Sequence, residues 1–266
     1  MLQAVLTSYG IPTAPFVLIP HDERDEDYSK YTVAMNANYP LFAKQDARGR
    51  SAGISSDSKI ENPSQLNSTI ERLKMNYPDD DILVETYLAG REFTVGIIGT
   101  GKAARVIGVM EIMCSKYQSS NAVQQGTGEG TRVVGFATES EKESFTWFGR
   151  VAEEPDMNDP KAILASKVAL DAYRVLRCRD LGRIDVRFGS GDRENVAHVM
   201  DVSWTCIQKG RAGLIYIFRQ VNTPPAIRRN RSTLPNLAER NGISYEALLD
   251  EVVQNTLKRK LVRSHV

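Results

Sequence analysis

Cysteine is scarce in this 266-residue chain: Cys114, Cys178 and Cys206 stand far apart, with no CxxC spacing. An odd, scattered set excludes a disulfide framework and reads as reduced thiols in a cytoplasmic protein. Long hydrophobic runs are missing too: none approaches the roughly 20 residues that span a bilayer. Neither charge sign dominates, since 34 Lys+Arg against 33 Asp+Glu leave a net charge of +1. The total therefore gives no argument for a nucleic-acid or membrane partner. Met1-Leu2-Gln3 leads straight into an amphipathic stretch without a basic region, so nothing there resembles a signal peptide. Neither GxGxxG nor GxxxxGK[ST] occurs. Any phosphates would have to be held by lysines and a flexible loop, not by a helix N-terminus. What remains is an ordinary globular balance of 41% hydrophobic and 25% charged residues. The length suits one large or two modest domains.

Along the chain, residues 1–9 predict a helix stopped by Gly10, and Ile11-Pro12 forces extended backbone after it. Strands are expected at 15–19, 39–44, 82–88, 92–98, 104–112 and 133–136, with a helix at 62–75. His21 to Lys30 reads as a charged loop, Arg48 to Gly53 as a flexible turn, and 115–131 as a polar, glycine-rich loop long enough to act as a lid. The i, i+3, i+4 spacing of Ala162, Leu164, Ala165, Val168, Ala169, Ala172, Tyr173 and Leu176 predicts a helix over 160–178, ended by Gly182. Arg183 to Phe188 alternates as a strand, with 196–202 as its hairpin partner, and 245–262 is an amphipathic helix. Strand–strand–helix runs with few βαβ crossovers favour an α+β fold with antiparallel sheets.

Residues 82–98 (ILVETYLAGREFTVGII) are the most informative stretch. An apolar strand ends on Glu85, a short crossing segment (Thr86-Tyr87-Leu88-Ala89-Gly90) follows, and Glu92 opens another alternating strand. Two acids joined by a glycine turn between β-rich runs suit a hinge that grips a nucleoside. Backbone groups there can meet a purine edge, while Glu92 accepts from ribose hydroxyls. The run resembles the ATP-grasp superfamily, and within it the D-alanine–D-alanine ligase type, whose pattern reads roughly VLVE-x-x-[LI]-x-G-x-E-[FL]-[TS]-V. The resemblance implies an ATP-grasp fold: a first subdomain over 1–88 and a second over 89–266, with largely antiparallel sheets gripping a nucleotide between them.

Lys44 ends a strand five residues before Gly49-Arg50-Ser51-Ala52-Gly53. A point charge there suits the α- and β-phosphates, and a Gly/Ser loop can close over the γ-phosphate. The family's matching loop reads G-S-S-x-G, and Arg50 stands where its first serine would. The resemblance thus implies that Lys44, Gly49, Ser51 and Gly53 hold phosphates, with Ser51 also in the catalytic set. Glu85, Tyr87, Leu88 and Glu92 would hold adenosine. Ser115-Lys116-Tyr117 is weakly similar to the lysine–tyrosine of the family's substrate loop, which adds Lys116 to the nucleotide contacts. Read as residues alone, Lys44 is equally a solvated lysine before a surface turn. Glu85 and Glu92 are equally two exposed acids flanking a hairpin, and Glu111 an edge charge.

Arg183-Ile184-Asp185 is the second marker. Alternation puts Asp185 on one face with Arg183 and Arg187. The family's G-x-G-R-x-D implies that Asp185 binds magnesium, or manganese in its place, and that Arg183 stabilises the oxyanion of the acyl-phosphate attack; the plain alternative is a strand with a salt-bridged polar face. The family's E-x-N pair aligns with Asp201 and Ser203, which shortens one metal ligand and replaces an amide carbonyl with a hydroxyl. The proline–glycine turn expected next is absent, and residues 206–231 form a basic segment without a family counterpart. The resemblance resumes at Thr233-Leu234-Pro235 and continues through Asn241-Gly242-Ile243-Ser244-Tyr245.

The resemblance includes no counterpart of the family's N-terminal domain, which implies either a truncated form or a part supplied from elsewhere; a face left by that domain would invite association, as in a homodimer. The implied activity is ATP-dependent joining of a carboxylate and an amine, with a small amino-acid-like substrate and no nucleic-acid or membrane partner. The alternative is a catalytically impaired ATP-binding remnant or a partner-binding protein.

Overall fold

Two antiparallel sheets carry the molecule, and each keeps one face for helices and turns part of the other toward a shared cleft. The computed structural model describes residues 2–25, 27–35, 38–46, 54–114, 150–153, 155–156, 158–209, 215–218, 227–229 and 232–263. Among them, the smaller sheet runs β1-β4-β2-β3: β1 (Phe16–Ile19), β2 (Leu41–Gln45), β3 (Lys59–Ile60) and β4 (Ile82–Thr86). Alternation sorts its faces. Leu41, Ala43, Ile82, Val84 and Ile19 join one buried cluster with Leu66, Ile70 and Leu73, while Phe42, Lys44, Leu83 and Glu85 share the opposite face by register. The helical residues come from α3 (Pro63–Asn76), which starts on a proline whose fixed φ suits the first turn. The shorter α2 (Ser29–Ala34) precedes it.

The larger sheet runs β10-β9-β8-β5-β6-β7. Its strands are β5 (Glu92–Ile98), β6 (Arg105–Cys114), β7 (Arg150–Glu153), β8 (Leu181–Phe188), β9 (Ala197–Lys209) and β10 (Ile215–Phe218). Phe93, Val95, Ile97, Ile184, Val186 and Phe188 pack on α4 (Pro160–Val175), whose buried Ala162, Ala165, Ala169 and Ala172 let the helix approach closely. Full burial of a side chain such as Phe93 or Phe188 contributes about 1.5–3 kcal/mol. The first helix, α1 (Leu2–Ser8), precedes the small sheet in sequence yet joins this larger core through Leu6.

The other face of the large sheet is half apolar and half polar. Leu234, Leu237, Leu248 and Val252, from α5 (Thr233–Arg240) and α6 (Tyr245–Arg263), cover the apolar half. Gly96 and Gly108 pair directly across β5 and β6 beneath them. A Cβ on Gly108 would lie 2.6 Å from Leu237 Cδ2, and one on Gly96 2.8 Å away, so glycine makes room for the helix. No helix among the described residues is long and apolar enough to cross a membrane.

Several local expectations are corrected. The stretch read as a loop through Lys30 turns into α2 at Ser29, because Asp27 accepts from Ser29 N at 2.8 Å and from its hydroxyl at 2.7 Å. Gly182 does not end α4 but lies inside β8. The chain turns instead through left-handed Arg177 (φ 54°) and Asp180 (φ 66°), which no proline or glycine announces. The strand expected to close at 202 continues to Lys209 and pairs with β10, so part of the basic segment belongs to the sheet. Nothing in 203–209 is a glycine or proline that would stop it. The strand expected at 133–136 and the loop at 115–131 lie outside the described residues.

Candidate functional site

The segment that crosses between the sheets is pinned by backbone. Tyr87 N donates to Pro40 O at 3.1 Å, Gly90 N to Phe188 O at 2.9 Å, and Phe188 N to Arg91 O at 2.9 Å. A Cβ on Gly90 would sit 2.7 Å from Phe188 O and closer still to Gly189 O, so the turn requires glycine. Leu88 is buried. The Tyr87 ring stacks on Phe42 at 6.3 Å, with Lys59 Nζ 4.8 Å and the Arg187 guanidinium 5.3 Å from its centroid.

Glu85 and Glu92 are not exposed hairpin acids: they retain 6% and 8% of their accessible surface. Their partners explain how carboxylates tolerate that burial. Lys44 Nζ donates to Glu85 Oε1 at 2.7 Å, and Arg187 Nη1 lies 3.6 Å from Glu92 Oε2. Lys44 is no solvated surface lysine either. Burial pulls its ammonium down, but Glu85, Asp201 and Asp46 together outweigh that and hold it above the usual lysine range. Asp201 belongs to the large sheet, so Lys44 feels charge across the cleft.

On the polar half of the large sheet, Asp185 pairs directly with Asp201 and Arg183 with Ser203. Arg183 Nη2 donates to Asp185 Oδ2 at 3.0 Å, and Thr94 Oγ1 donates to Asp185 Oδ1 at 2.8 Å. Asp201 Oδ1 accepts from Val202 N at 2.9 Å. Asp185 raises the Arg183 guanidinium further above its ordinary range against the pull of burial, and Asp201 and Glu92 add to it. Its Nε is buried with no hydrogen-bond partner among the described residues. Among the described residues no group of three or more His, Cys, Asp or Glu could hold a metal by itself. Two opposed carboxylates beside a hydroxyl, Ser203, nevertheless fit magnesium, which takes one or two carboxylates and completes its shell with phosphate oxygens and water.

The structure thus brings together Lys44, Glu85, Tyr87, Leu88, Glu92, Arg183, Asp185, Asp201 and Ser203 around one cleft. Gly49, Ser51, Gly53 and Lys116 lie outside the described residues. Glu111 is no edge charge: it is buried and accepts from Arg91 Nε at 2.8 Å and Nη2 at 2.6 Å, while Arg91 also reaches Asp159 at the start of α4. Residue-level reading missed the parts of Thr94 and Arg187. Alternation from Asp185 already put Arg187 on its face without giving it a role, and alternation from Glu92 reaches Thr94.

Two opposed antiparallel sheets with an acid-bearing crossing segment define the ATP-grasp fold. Solved structures agree: D-alanine–D-alanine ligase from Bacillus anthracis matches with a TM-score of 0.66 at 20% identity, covering 98% of this chain and 67% of that one. The same enzyme complexed with ATP matches with a TM-score of 0.63 at 19% identity, covering 98% and 66%. The model of the D-ala D-ala ligase C-terminus family matches residues 5–199, and the chain belongs to that family. It is 24% identical over 255 residues to D-alanine–D-alanine ligase of Proteus mirabilis, covering 96% of this chain and 56% of that protein. It is 25% identical over 261 residues to the ligase of a Polaromonas species, covering 96% and 62%. The chain therefore spans 56% and 62% of the length of those two relatives.

Proposed function

We propose that this chain is the nucleotide-gripping part of an ATP-dependent carboxylate–amine ligase that forms a peptide-type bond through an acylphosphate. The observation that carries this reading is the opposition of two charged sets: Lys44–Glu85 on the small sheet, and Arg183, Asp185 and Asp201 on the large one, near enough for Asp201 to act on Lys44. Lys44, with the loop at Gly49, Ser51 and Gly53, holds phosphates. Tyr87, Leu88 and Glu92 hold the nucleoside, and Glu85 orients Lys44 beside it. Asp185, Asp201 and Ser203 hold magnesium, which when bound neutralises phosphate charge. A carboxylate oxygen of a small amino-acid-like substrate attacks the γ-phosphorus and ADP leaves. An amine then attacks the acyl carbon, loses a proton and expels inorganic phosphate, a far better leaving group than oxide. Arg183, whose side chain keeps 29% of its surface exposed beside Asp185, offers its guanidinium charge to the charge that develops.

The test is calorimetric titration with a non-hydrolysable ATP analogue, with and without magnesium. Magnesium-dependent binding that disappears in Asp185→Ala and Asp201→Asn supports the assignment. Wild-type protein that is folded but binds no nucleotide refutes it. A subsequent screen of amino acids for ADP release separates a ligase from a nucleotide-binding protein without turnover.

A further inference from the structure

Arg187 is the most deeply buried cation of the cleft, with 2% of its surface accessible. A guanidinium at that depth carries a heavy desolvation penalty, and an apolar side chain of similar length would fill the same space without it. Three of its contacts define its surroundings: Nη1 lies 3.6 Å from Glu92 Oε2, Nε donates to Gly90 O at 3.5 Å, and the guanidinium carbon sits 5.3 Å from the Tyr87 ring centroid. All three groups belong to the crossing segment or the residue that closes it. A planar fork can address a carboxylate, a carbonyl and a ring together, which an ammonium cannot.

The contact with Glu92 is longer than a hydrogen bond. At that length the guanidinium orients the carboxylate, and a carboxylate with about four acceptor positions can serve more than one donor. Register places Arg187 directly opposite Glu92 across β5 and β8, with no bulge in that pairing, so the contact is fixed by the sheet.

We propose that Arg187 is a positioning residue for the nucleoside end of the cleft, holding the Glu92 carboxylate as the acceptor for ribose hydroxyls and tying it to the crossing segment. This rests on the nucleotide reading given above. The experiment compares ADP with 2′,3′-dideoxy-ADP by calorimetry in magnesium, for wild type, Arg187→Met and Arg187→Lys. Wild type prefers ADP by roughly tenfold or more, the worth of one hydrogen bond to a charged acceptor. In Arg187→Met that preference collapses to less than about threefold, whatever the change in absolute affinity; Arg187→Lys, keeping the charge without the fork, recovers part of it.

Should Arg187→Met retain the full preference, or lose both ligands in equal proportion, the proposal is overturned and Arg187 is only a packing element. If Arg187→Met does not fold, Arg187→Lys decides alone: an undiminished preference overturns the proposal and a reduced one supports it. Wild type that binds neither nucleotide overturns the nucleotide reading itself, and this proposal with it. Wild type that binds both equally overturns this proposal only.

Discussion

Replacing Lys44 with methionine keeps the length and packing of the side chain but removes its charge, and the consequence can be worked from the pair it leaves. Lys44 Nζ stands 2.7 Å from Glu85 Oε1, with 19% of the lysine side chain and 7% of the glutamate exposed. At an effective dielectric near 20 the direct attraction across such a gap is about 6 kcal/mol, most of it offset by the desolvation of both groups. The substitution removes the attraction but leaves Glu85 buried, and losing one partner of a buried pair costs about 3–5 kcal/mol. Residual exposure of Lys44 puts the expected loss near the lower end, about 3 kcal/mol, or roughly 6–12 °C in Tm for a chain of this size. Urea unfolding of wild type, Lys44→Met, Glu85→Gln and the double variant closes the cycle. The double variant should recover about 2 kcal/mol or more relative to the sum of the singles. A coupling below about 0.5 kcal/mol would mean that the pair is no more than a surface contact, and the buried-pair reasoning would be wrong.

Three further outcomes are expected. Gly90→Ala meets backbone on every near side and should lower stability by about 2 kcal/mol or more, read as a Tm drop with loss of nucleotide binding; a neutral result would refute the close approach of the crossing segment to β8. Gly108→Ala meets only the side-chain ends of Asn241 and Leu237, so overpacking should cost less, about 1–2 kcal/mol, and Leu237→Ala in the same chain should not add its full cost to it. His198 retains 4% of its surface, lies opposite Arg187 in the sheet and is pushed by burial below the usual histidine range. The unfolded chain therefore binds a proton at higher pH than the folded one, so stability falls as pH drops below about 6.5. Thermal melts of wild type should show that slope and His198→Gln should flatten it; parallel slopes would exclude His198 as its source.

Much of the architecture was legible because period-2 alternation and glycine punctuation are local. β4, β5, β8 and the alanine-rich α4 follow from patterns contained within each segment. What was not legible depended on partners distant in sequence. The left-handed turns at Arg177 and Asp180 are imposed where α4 must hand over to β8, and their residue types give no notice of it. The continuation of β9 into β10 is fixed by cross-strand pairing of Cys206 with Phe218 and Lys209 with Ile215, which composition alone reads only as a basic segment. Within the cleft, the motif-bearing acids and cations were readable. Thr94 and Arg187 were not singled out, because their importance comes from the strand beside them.

The charges gathered at the cleft explain why magnesium dependence is the most discriminating property to measure. Among the described residues, Lys44, Lys59, Arg183 and Arg187 lie with Asp46, Glu85, Glu92, Asp185 and Asp201, so four cations meet five carboxylates. Each cation already has an anion within 3.6 Å. A triphosphate entering such a site brings negative charge to a region whose own charges nearly cancel, and it must compete with Glu85 for Lys44 and with Asp185 for Arg183. On the proposed assignment, a divalent ion at Asp185 and Asp201 would reverse that balance, and the carboxylate pair would then favour the triphosphate instead of repelling it. Nucleotide affinity in this cleft should therefore depend on magnesium far more steeply than in a site built from surplus lysines and arginines.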